Sequence, residues 1–328
     1  MTPFVSIIVP VYNVENFIKS CARSLFEQSL RSNIEYIFVD DCTPDRSMEM
    51  LQQVIDEYEM EELNVKIISH EQNRGPGSAR NTGLRVATGE YIYYCDSDDW
   101  IESYAIEKLY EAALRTQADL LWFDWYLSFQ KKARWMREEA EENPMVCLKA
   151  ILSGRLKFNL WNKIVKRKLY IDHNLYFPEG FCMAEDMIMI KVYAYVDKVC
   201  YVPFPLYHYM QNNTSSLTKS YSERSFLQIR QSADEVISFV QAVYGNELDL
   251  ELNFFKLNVK LPFLLSNDKA AYRHWLSWYP ESHCYIEQNH IISYKVRLLQ
   301  KMALRHQFWF VRIYNFLIYQ VMANLIYR

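Results

Sequence analysis

The chain has 328 residues, half of them hydrophobic and 16% aromatic, and its formal net charge is −4. Such a chain is long enough for two domains or for one domain with a large appendage, and its acidic balance argues against nucleic-acid binding. Seven cysteines without a C-x-x-C pair argue against a disulfide framework or a zinc knuckle, and the first residues lack the segments of a signal peptide. We therefore expect a globular protein of the cytoplasm.

Strands and helices alternate through the first 126 residues. Apolar, β-branched runs predict strands, and the amphipathic stretches between them predict helices. The predicted strands cover 5–13, 35–41, 65–69, a run starting at 91, and 119–126; the predicted helices cover 15–28, 43–58, a segment ending at 89, and 103–117. This alternation is typical of an α/β fold with a doubly wound, mostly parallel sheet flanked by helices. The charged residues 131–144 predict a solvent-exposed excursion.

The aromatic run that starts at residue 91 leads into three carboxylates, Asp96, Asp98 and Asp99. In an extended backbone Asp96 and Asp98 point to one side and Asp99 to the other. That spacing suits one Mg²⁺ or Mn²⁺ ion, since both prefer oxygen ligands. The alternative is that the acids cap the helix that follows.

Four of the seven glycines lie within 15 residues, between positions 75 and 89, immediately before these acids. Such a loop can bring backbone N–H groups and the start of a helix close to an anion, with Arg80 as a charged contact. The alternative is a plain connecting loop.

Four motifs, taken in order, resemble the nucleotide-binding half of family 2 glycosyltransferases, which have the GT-A fold and are mostly inverting. They are V-S-I-I-V-P-V-Y-N at 5–13, V-D-D-C-T-P-D at 39–45, N-R-G-P-G-S-A-R-N-T-G at 73–83 and D-S-D-D at 96–99. Cys42 stands where the family usually has Gly or Asn. The resemblance is strong over 4–126 and looser to 218, so we expect a catalytic domain over 1–218 and a helical region over 219–328.

The resemblance implies a nucleotide-sugar site at the carboxyl ends of the strands. The residues expected to bind the nucleotide sugar are Pro10, Val11, Tyr12, Asn13, Asp41, Arg80, Asp96, Ser97 and His208. Val11, Tyr12 and Asp41 are expected at the pyrimidine, and Asp98 with Asp96 is expected to hold the Mn²⁺ or Mg²⁺ that stabilises the departing nucleotide. His208, in a segment similar to the family's Y-x-Y, is a candidate phosphate or metal contact.

The second half is expected to bind the acceptor. Residues 161–163, Trp-Asn-Lys, resemble a family segment, and Glu185-Asp186 is similar to the family's E-D pair. Inverting transfer needs a base that takes the proton of the attacking hydroxyl, and we assign that role to Asp186, with Glu185 second. The alternative for these acids is the first turn of a helix. Trp161 is either a floor for the acceptor sugar or a core residue.

The C-terminal residues 288–328 contain six Lys or Arg and no Asp or Glu. On one helix, Arg297, Lys301, Arg305 and Arg312 share a face, and an apolar face lies on another side. This pattern is typical of a helix in a membrane interface, and the uncharged run 313–327 is too short to span a bilayer. The alternative is a helical subdomain that packs on the catalytic body.

The leading hypothesis is a metal-dependent, hexosyltransferase-type inverting enzyme that uses a nucleotide-diphosphate sugar, with UDP favoured, in surface polysaccharide synthesis. Its acceptor would be a hydroxyl of a glycan or lipid-linked molecule, and the protein would be peripheral on the cytoplasmic face of the inner membrane. A sugar-nucleotide nucleotidyltransferase is the second hypothesis, although residues 10–16 lack its glycine-rich, basic loop. The third is a non-catalytic, nucleotide-binding, membrane-associated scaffold.

Overall fold

The computed structural model describes residues 2–58, 63–129, 132–181, 187–211, 223–265 and 269–326. The chain packs as two compact units, one formed by residues 1–148 and 158–236 and the other by 149–157 and 237–328. The predicted boundary at residue 218 lies outside the described residues.

The first unit is built on a mixed sheet. Its strands are β1 (Val5–Val11), β2 (Ile34–Asp40), β3 (Asn64–Ser69), β4 (Tyr91–Tyr94), β5 (Trp100–Ile101), β6 (Leu120–Ser128), β7 (Ala133–Met136), β8 (Lys163–Lys166) and β9 (Val199–Met210). They lie in the order β3-β2-β1-β4-β8-β6-β9-β5, with β7 beside β6. The first four in this order are parallel, β8 runs antiparallel between β4 and β6, and β9 is parallel to β6. The predicted α/β class, with a mostly parallel sheet flanked by helices, is confirmed.

Helices connect the strands and form the described part of the second unit. They are α1 (Ile18–Phe26), α2 (Ser47–Ile55), α3 (Pro76–Val86), α4 (Ala105–Thr116), α5 (Pro144–Ser153), α6 (Arg167–Asp172), α7 (Ile188–Tyr193), α8 (Glu223–Tyr244), α9 (Asp249–Leu265), α10 (Lys269–Ser277), α11 (Tyr294–Leu304) and α12 (Phe308–Ile326), with a 3-10 helix at Pro280–Tyr285. Among the described residues, none of these helices combines the length and the apolar character needed to cross a membrane.

The central strands are continuous apolar runs because helices cover both faces of the parallel part of the sheet. Every residue of β1 except the half-buried Pro10 is buried. The edge strand β3 instead alternates exposed and half-buried positions. The burial of each of these two strands therefore matches its place in the sheet.

One local prediction is wrong. Helix α2 begins at Ser47 rather than at Thr43, because the Thr43 hydroxyl donates to Asp45 and accepts from the backbone of Asn13 instead of capping a helix. The described part of the charged excursion is largely exposed, as predicted, and it also contains strand β7, which pairs with β6. The buried carboxylate of Asp124 anchors this hairpin, accepting from the Trp135 indole N–H at 2.8 Å.

Two of the four clustered glycines serve packing rather than an anion site. A Cβ atom on Gly83 would lie 2.4 Å from Cγ2 of Ile8, and one on Gly89 would lie 2.6 Å from the backbone nitrogen of Ser6. Both glycines let α3 and the segment after it approach β1 closely. The prediction that all four mark an anion-binding loop is corrected for these two.

The tail is two helices rather than one, because His306 adopts a left-handed backbone (φ 59°) that ends α11. The apolar side of α11 packs inward, with Leu299 and Ala303 buried. Its predicted basic face is partly engaged within the unit, since Lys301 pairs with Glu287 and Arg297 donates to the Asn289 carbonyl at 2.9 Å.

Candidate active site

The strands β1, β2 and β4 end on the same side of the sheet, at Val11, Asp40 and Tyr94, and we call this side the carboxyl edge. Parallel strands in register bring their carboxyl ends to one line, and ligands of open α/β sheets bind there. The loops that follow these strands carry most of the residues that the sequence predicted.

Tyr12 is the exposed aromatic residue of the edge. It is 46% exposed directly after the buried Val11, and Pro10 before it is half-buried. Asn13 then takes a left-handed backbone (φ 55°), and its N–H donates to the Thr43 hydroxyl at 2.8 Å. This turn presents the flat Tyr12 ring to solvent, where a planar base can stack on it.

Asp41 is buried and organises the glycine loop, residues 73–77. Its carboxylate accepts from the backbone N–H of Arg74 at 2.8 Å and of Gly75 at 2.7 Å, and it contacts Nδ1 of His70 at 2.7 Å. A carboxylate offers about four acceptor positions, so these contacts leave room for one further N–H donor. Gly75, with φ 86°, supplies the backbone that aims two N–H groups at one acid.

The backbone N–H groups of Arg74 and Gly75 therefore donate to an anion of the protein itself, the Asp41 carboxylate. His70 completes this arrangement, since its Nε2 lies 2.9 Å from the Thr82 hydroxyl on α3. Sequence analysis missed His70. The signal that could have found it is its position immediately after β3, on the same edge as Asp41.

Residues 96–99 form a turn, which we call the acid turn. The backbone N–H of Asp99 donates to the Asp96 carbonyl at 3.1 Å, so the segment is not extended and the predicted alternation of Asp96, Asp98 and Asp99 is wrong. The alternative of helix capping is also excluded, because α4 begins at Ala105 without a side-chain cap.

Arg80 reaches the acid turn from α3. Its buried guanidinium donates to Oδ1 of Asp96 at 2.9 Å, and Asp96 is partly exposed. Ser97 is buried and Asp98 is half-buried. The structure thus brings together Arg80, Asp96, Ser97 and Asp98 at the end of β4, beside the ends of β1 and β2.

Asp99 faces away from this cluster into the protein. Its carboxylate accepts from the Tyr207 hydroxyl at 2.6 Å and from the Met210 N–H at 2.7 Å. Burial, followed by the nearby charges of Asp98 and Asp96, raises the pKa of Asp99 well above its usual range. Asp99 fastens the acid turn to β9.

The residues of the acid turn fit a divalent cation in donor chemistry. Asp96 and Asp98 supply carboxylate oxygens, the ligands that Mg²⁺ and Mn²⁺ prefer. Within the ranges that the structure describes, no group of three or more acidic, histidine or cysteine side chains is arranged to hold an ion. Mg²⁺ bound beside phosphates usually takes oxygens of its substrate in addition to one or two protein carboxylates.

His208 lies beside the acid turn on β9, and both of its ring nitrogens contact protein side chains. Nδ1 is 2.9 Å from the Ser128 hydroxyl and Nε2 is 2.9 Å from the Glu102 carboxylate. Its ring stacks on Trp100, and burial lowers the pKa of His208 despite the opposing effect of Glu102. His208 reaches a ligand only if it exchanges one of these two contacts.

Asp186 and Glu185 lie outside the described residues. The segment before them is fastened to α3, since the Asn81 side chain donates to the Phe177 carbonyl and accepts from its N–H, both at 2.9 Å. The Gly180 N–H donates to the Ser78 hydroxyl at 3.3 Å. The same helix therefore carries Arg80 and holds the chain that leads to the predicted base.

Trp161 is buried, and its ring stacks on Tyr207 and Tyr209 with centroids 4.7 and 5.3 Å away. The neighbouring Asn162 exchanges two hydrogen bonds with the backbone of Phe123 on β6. Trp161 is thus held against the half of the sheet that contains β6 and β9.

Comparisons with known proteins agree with this geometry. The sequence model of Glycosyl transferase family 2 matches residues 6–189. The chain is 32% identical over 281 residues to the uncharacterized glycosyltransferase EpsJ of Bacillus subtilis (strain 168), covering 83% of this chain and 80% of that protein. The chain belongs to glycosyltransferase family 2.

Other relatives of this glycosyltransferase have named polymer substrates. Poly(ribitol-phosphate) beta-N-acetylglucosaminyltransferase TarS of Staphylococcus aureus is 30% identical over 208 residues, which cover 62% of this chain but 35% of TarS. Poly(ribitol-phosphate) beta-glucosyltransferase of Bacillus spizizenii is 33% identical over 187 residues, 56% of this chain and 28% of that protein.

The fold of this family 2 glycosyltransferase also matches solved structures. Residues 1–349 of S. aureus TarS in complex with UDP-GlcNAc superpose with a TM-score of 0.72 at 23% identity, covering 96% of this chain and 91% of that one. The same fragment with UDP gives a TM-score of 0.69. The predicted GT-A fold is confirmed.

Proposed function

We propose that this glycosyltransferase transfers a sugar, with inversion, from a UDP-sugar to a hydroxyl of a glycan or lipid-linked acceptor in surface polysaccharide synthesis. The observation that carries the proposal is the Arg80–Asp96 pair at the carboxyl edge, beside the exposed ring of Tyr12. The Arg80 guanidinium, the acid turn and the Tyr12 ring lie on one edge of the sheet. The Tyr12 ring suits the base of a nucleotide diphosphate, and Arg80 with the acid turn suits its ribose and diphosphate.

The donor side is assigned by chemistry. The uracil would stack on Tyr12 above the buried Val11, and its N–H would take the remaining acceptor position of Asp41. The ribose and diphosphate would lie towards Asp96, Ser97 and Arg80. The structures of S. aureus TarS residues 1–349 in complex with UDP-GlcNAc and with UDP support the choice of nucleotide.

A bound Mn²⁺ or Mg²⁺, held by Asp98 with Asp96, would stabilise the negative charge of the departing nucleotide. The chain's own residues orient the donor. Arg80 fixes the Asp96 carboxylate, and Asp99 fixes the turn that carries Asp98 to β9. Both contacts hold these carboxylates in a fixed arrangement, which is the preorganisation that efficient electrostatic catalysis needs.

In the transfer step, the acceptor oxygen forms a bond to the anomeric carbon as the bond from that carbon to the phosphate oxygen breaks. Asp186 would take the proton of the attacking hydroxyl, and the nucleotide diphosphate would leave from the opposite face. Trp161 would lie on the acceptor side.

The test of this assignment is sugar transfer and UDP binding, both measured with and without Mn²⁺, after a thermal-shift screen of nucleotide sugars. Asp186→Asn should reduce turnover by about 10²–10⁴-fold while UDP affinity stays within twofold. Asp172→Asn, at an exposed position at the end of α6, is the matched control. Normal turnover of Asp186→Asn would contradict the base assignment. An affinity for UDP that is the same with and without Mn²⁺ would contradict the metal assignment.

The solvent side of α12 supports attachment to a membrane surface. Over residues 308–317 its exposed apolar residues are Trp309 (58%), Ile313 (52%), Phe316 (62%) and Leu317 (56%). We call these four the apolar face of α12. The opposite side packs inward through the buried Val311 and Asn315, and the Asn315 amide donates to the Leu264 carbonyl at 2.8 Å.

Charge indicates what would cover the apolar face of α12. Arg305 and Arg312 are exposed on the same two-helix tail, and residues 288–328 contain no acid. Exposed apolar side chains, a tryptophan and flanking cations match an anionic lipid surface. We propose that this face places the enzyme on the cytoplasmic side of the inner membrane, close to a lipid-linked acceptor.

Vesicle co-sedimentation tests this attachment. Phe316→Ser should reduce binding to phosphatidylglycerol vesicles at least fivefold, because it removes buried apolar area from the membrane contact. Leu227→Ser, at a position on α8 that is also strongly exposed, should leave binding unchanged. Equal binding of both variants, or no binding of the wild type, would defeat the proposal.

A further inference from the structure

Four aromatic rings lie on one face of the sheet beside the acid turn. They are Trp125 on β6, Tyr207 and Tyr209 on β9, and Trp161 before β8. We call them the aromatic platform. Trp161 is at its centre, stacked on both tyrosines and in edge contact with Trp125 at 5.0 Å.

Strand register places the rings together. Trp125 is the direct partner of Tyr207 in the parallel pairing of β6 and β9, so the two share a face. Tyr209 is two residues further along β9 and shares that face too. Trp161 closes over them because Asn162 is hydrogen-bonded to the backbone of Phe123, two residues before Trp125.

The platform is joined to the proposed site at its inner end. The Tyr207 hydroxyl donates to Asp99 at 2.6 Å and accepts from the backbone N–H of Asp96 at 3.3 Å. The inner ring of the platform is thus bonded directly to the turn that carries the proposed diphosphate contacts.

Burial falls towards the outer end of the platform. Tyr207 and Trp161 are buried, whereas Trp125 and Tyr209 are half-buried. On the opposite face of the same strands, His208 stacks on Trp100 and is fixed by Ser128 and Glu102. His208 is thus held by side chains on its own face, while Trp125 and Tyr209 at the outer end of the platform keep part of their surface exposed.

We propose that Trp125 and Tyr209 bind the acceptor and that they select a pyranose ring. This inference rests on the proposed function and names the acceptor class for that site. The axial C–H groups of a hexopyranose form an apolar face that packs on flat aromatic rings, whereas a polyol phosphate would need cations in place of ring carbons. In this proposal Trp125 and Tyr209 contact the acceptor directly, and Trp161 holds their rings in position.

Saturation-transfer NMR on the full chain tests the proposal, with and without UDP and Mn²⁺. The probes are the methyl β-pyranosides of glucose, galactose, mannose and N-acetylglucosamine, and ribitol 5-phosphate. At least one pyranoside should receive saturation on the protons of one ring face. Trp125→Leu and Tyr209→Leu, which keep apolar bulk without a flat ring, should each reduce that signal about fivefold or more.

Phe204→Leu is the matched control, since Phe204 is an exposed ring on β9 outside the platform. It should keep the full signal. In a transfer assay, either platform variant should raise the acceptor KM about tenfold, equal to about 1.4 kcal/mol, with donor KM unchanged. Circular dichroism of each variant confirms folding, and the two platform variants serve as independent tests.

Three results would overturn the inference while UDP still binds. They are an unchanged pyranoside signal in both variants, saturation of ribitol 5-phosphate alone, and no signal from any of the four pyranosides. Weaker binding of UDP-N-acetylglucosamine with normal UDP binding would assign the platform to the donor sugar and also overturn it. Loss of UDP binding in the wild type would instead defeat the proposed function.

Discussion

The two ends of strand β2 each carry a buried acid, and they serve different purposes. Glu35, near the start of the strand, accepts from Lys66 at 2.6 Å, from the Thr88 N–H at 2.8 Å and from the Ser6 hydroxyl. Asp41, directly after the strand, holds the glycine loop at the carboxyl edge. The amino end of the sheet thus uses its acid to join strands, and the carboxyl end uses its acid to shape a loop.

The carboxyl edge also brings together acids whose negative charges repel one another. Asp96, Asp98 and Asp99 lie within one turn, and their mutual charge contributes to the raised pKa of Asp99. Glu35 instead meets donors on all sides. We expect acids at the amino end to stabilise the fold and acids of the acid turn to support activity at some cost in stability.

Replacing Asp98 should give the largest effect. Asp98→Asn is expected to lower sugar transfer about 10²–10³-fold, because it removes a carboxylate ligand of the proposed metal ion that stabilises the departing nucleotide. Its midpoint of thermal unfolding should stay the same or rise, since one of three crowded charges is lost. Activity assays and calorimetry check both parts; a large drop in stability would break the contrast with Glu35.

Replacing Glu35 should lower the stability of the fold rather than the activity. Glu35→Ala is expected to lower the free energy of unfolding by about 2 to 3 kcal/mol, because buried donors of Ser6 and Thr88 lose their acceptor. UDP affinity should be unchanged. The exposed Glu57, paired with Arg23, is the control, and Glu57→Ala should cost about 1 kcal/mol or less in urea denaturation.

The contribution of Glu35 should also depend on pH. Burial by itself raises the pKa of Glu35, but hydrogen bonds from Lys66, Ser6 and Thr88 together lower it below the usual value. A lowered folded pKa contributes stability above the unfolded value, about 4.3, and this stability is lost as pH falls through the folded pKa. The stability difference between wild type and Glu35→Gln should therefore shrink between pH 5 and pH 3; a constant difference would refute it.

The smallest effect concerns Cys42, beside Asp41. Its backbone is left-handed (φ 57°), a conformation that costs a residue with a Cβ about 1 kcal/mol. Cys42→Gly should therefore raise stability by up to about 1 kcal/mol without changing UDP binding. Cys284→Gly, at another exposed cysteine without positive φ, should lower it, and a loss of stability in Cys42→Gly would contradict the strain argument.

Much of the fold could be predicted because its signals are local. The β-branched run of β1 and the helical spacing of Ile18, Cys21 and Leu25 report strand and helix within a few residues. The start of helix α2 was wrongly predicted because the Thr43 hydroxyl accepts a hydrogen bond from the backbone of Asn13 on another loop. No local sequence pattern predicts such a contact.

The site was predicted less completely than the fold. Sequence order located the acid turn and Arg80 and set Asp99 apart from Asp98, but it predicted an extended segment where the structure has a turn. The apolar face of α12 could be separated from the buried side of α11 only after His306 was seen to divide the tail.

The sequence by itself determined the alternation of the main strands and helices over the first 126 residues, the family motifs and the edge on which the acids lie, because hydrophobic period and motif spacing are properties of neighbouring residues. The tertiary structure decided which acid faces inward, which rings meet and which helix face stays exposed. Those outcomes depend on partners far apart in the chain, such as Tyr207 and Asp99, separated by 108 positions. Only the packing of β6, β9 and the acid turn brings such groups within hydrogen-bonding distance.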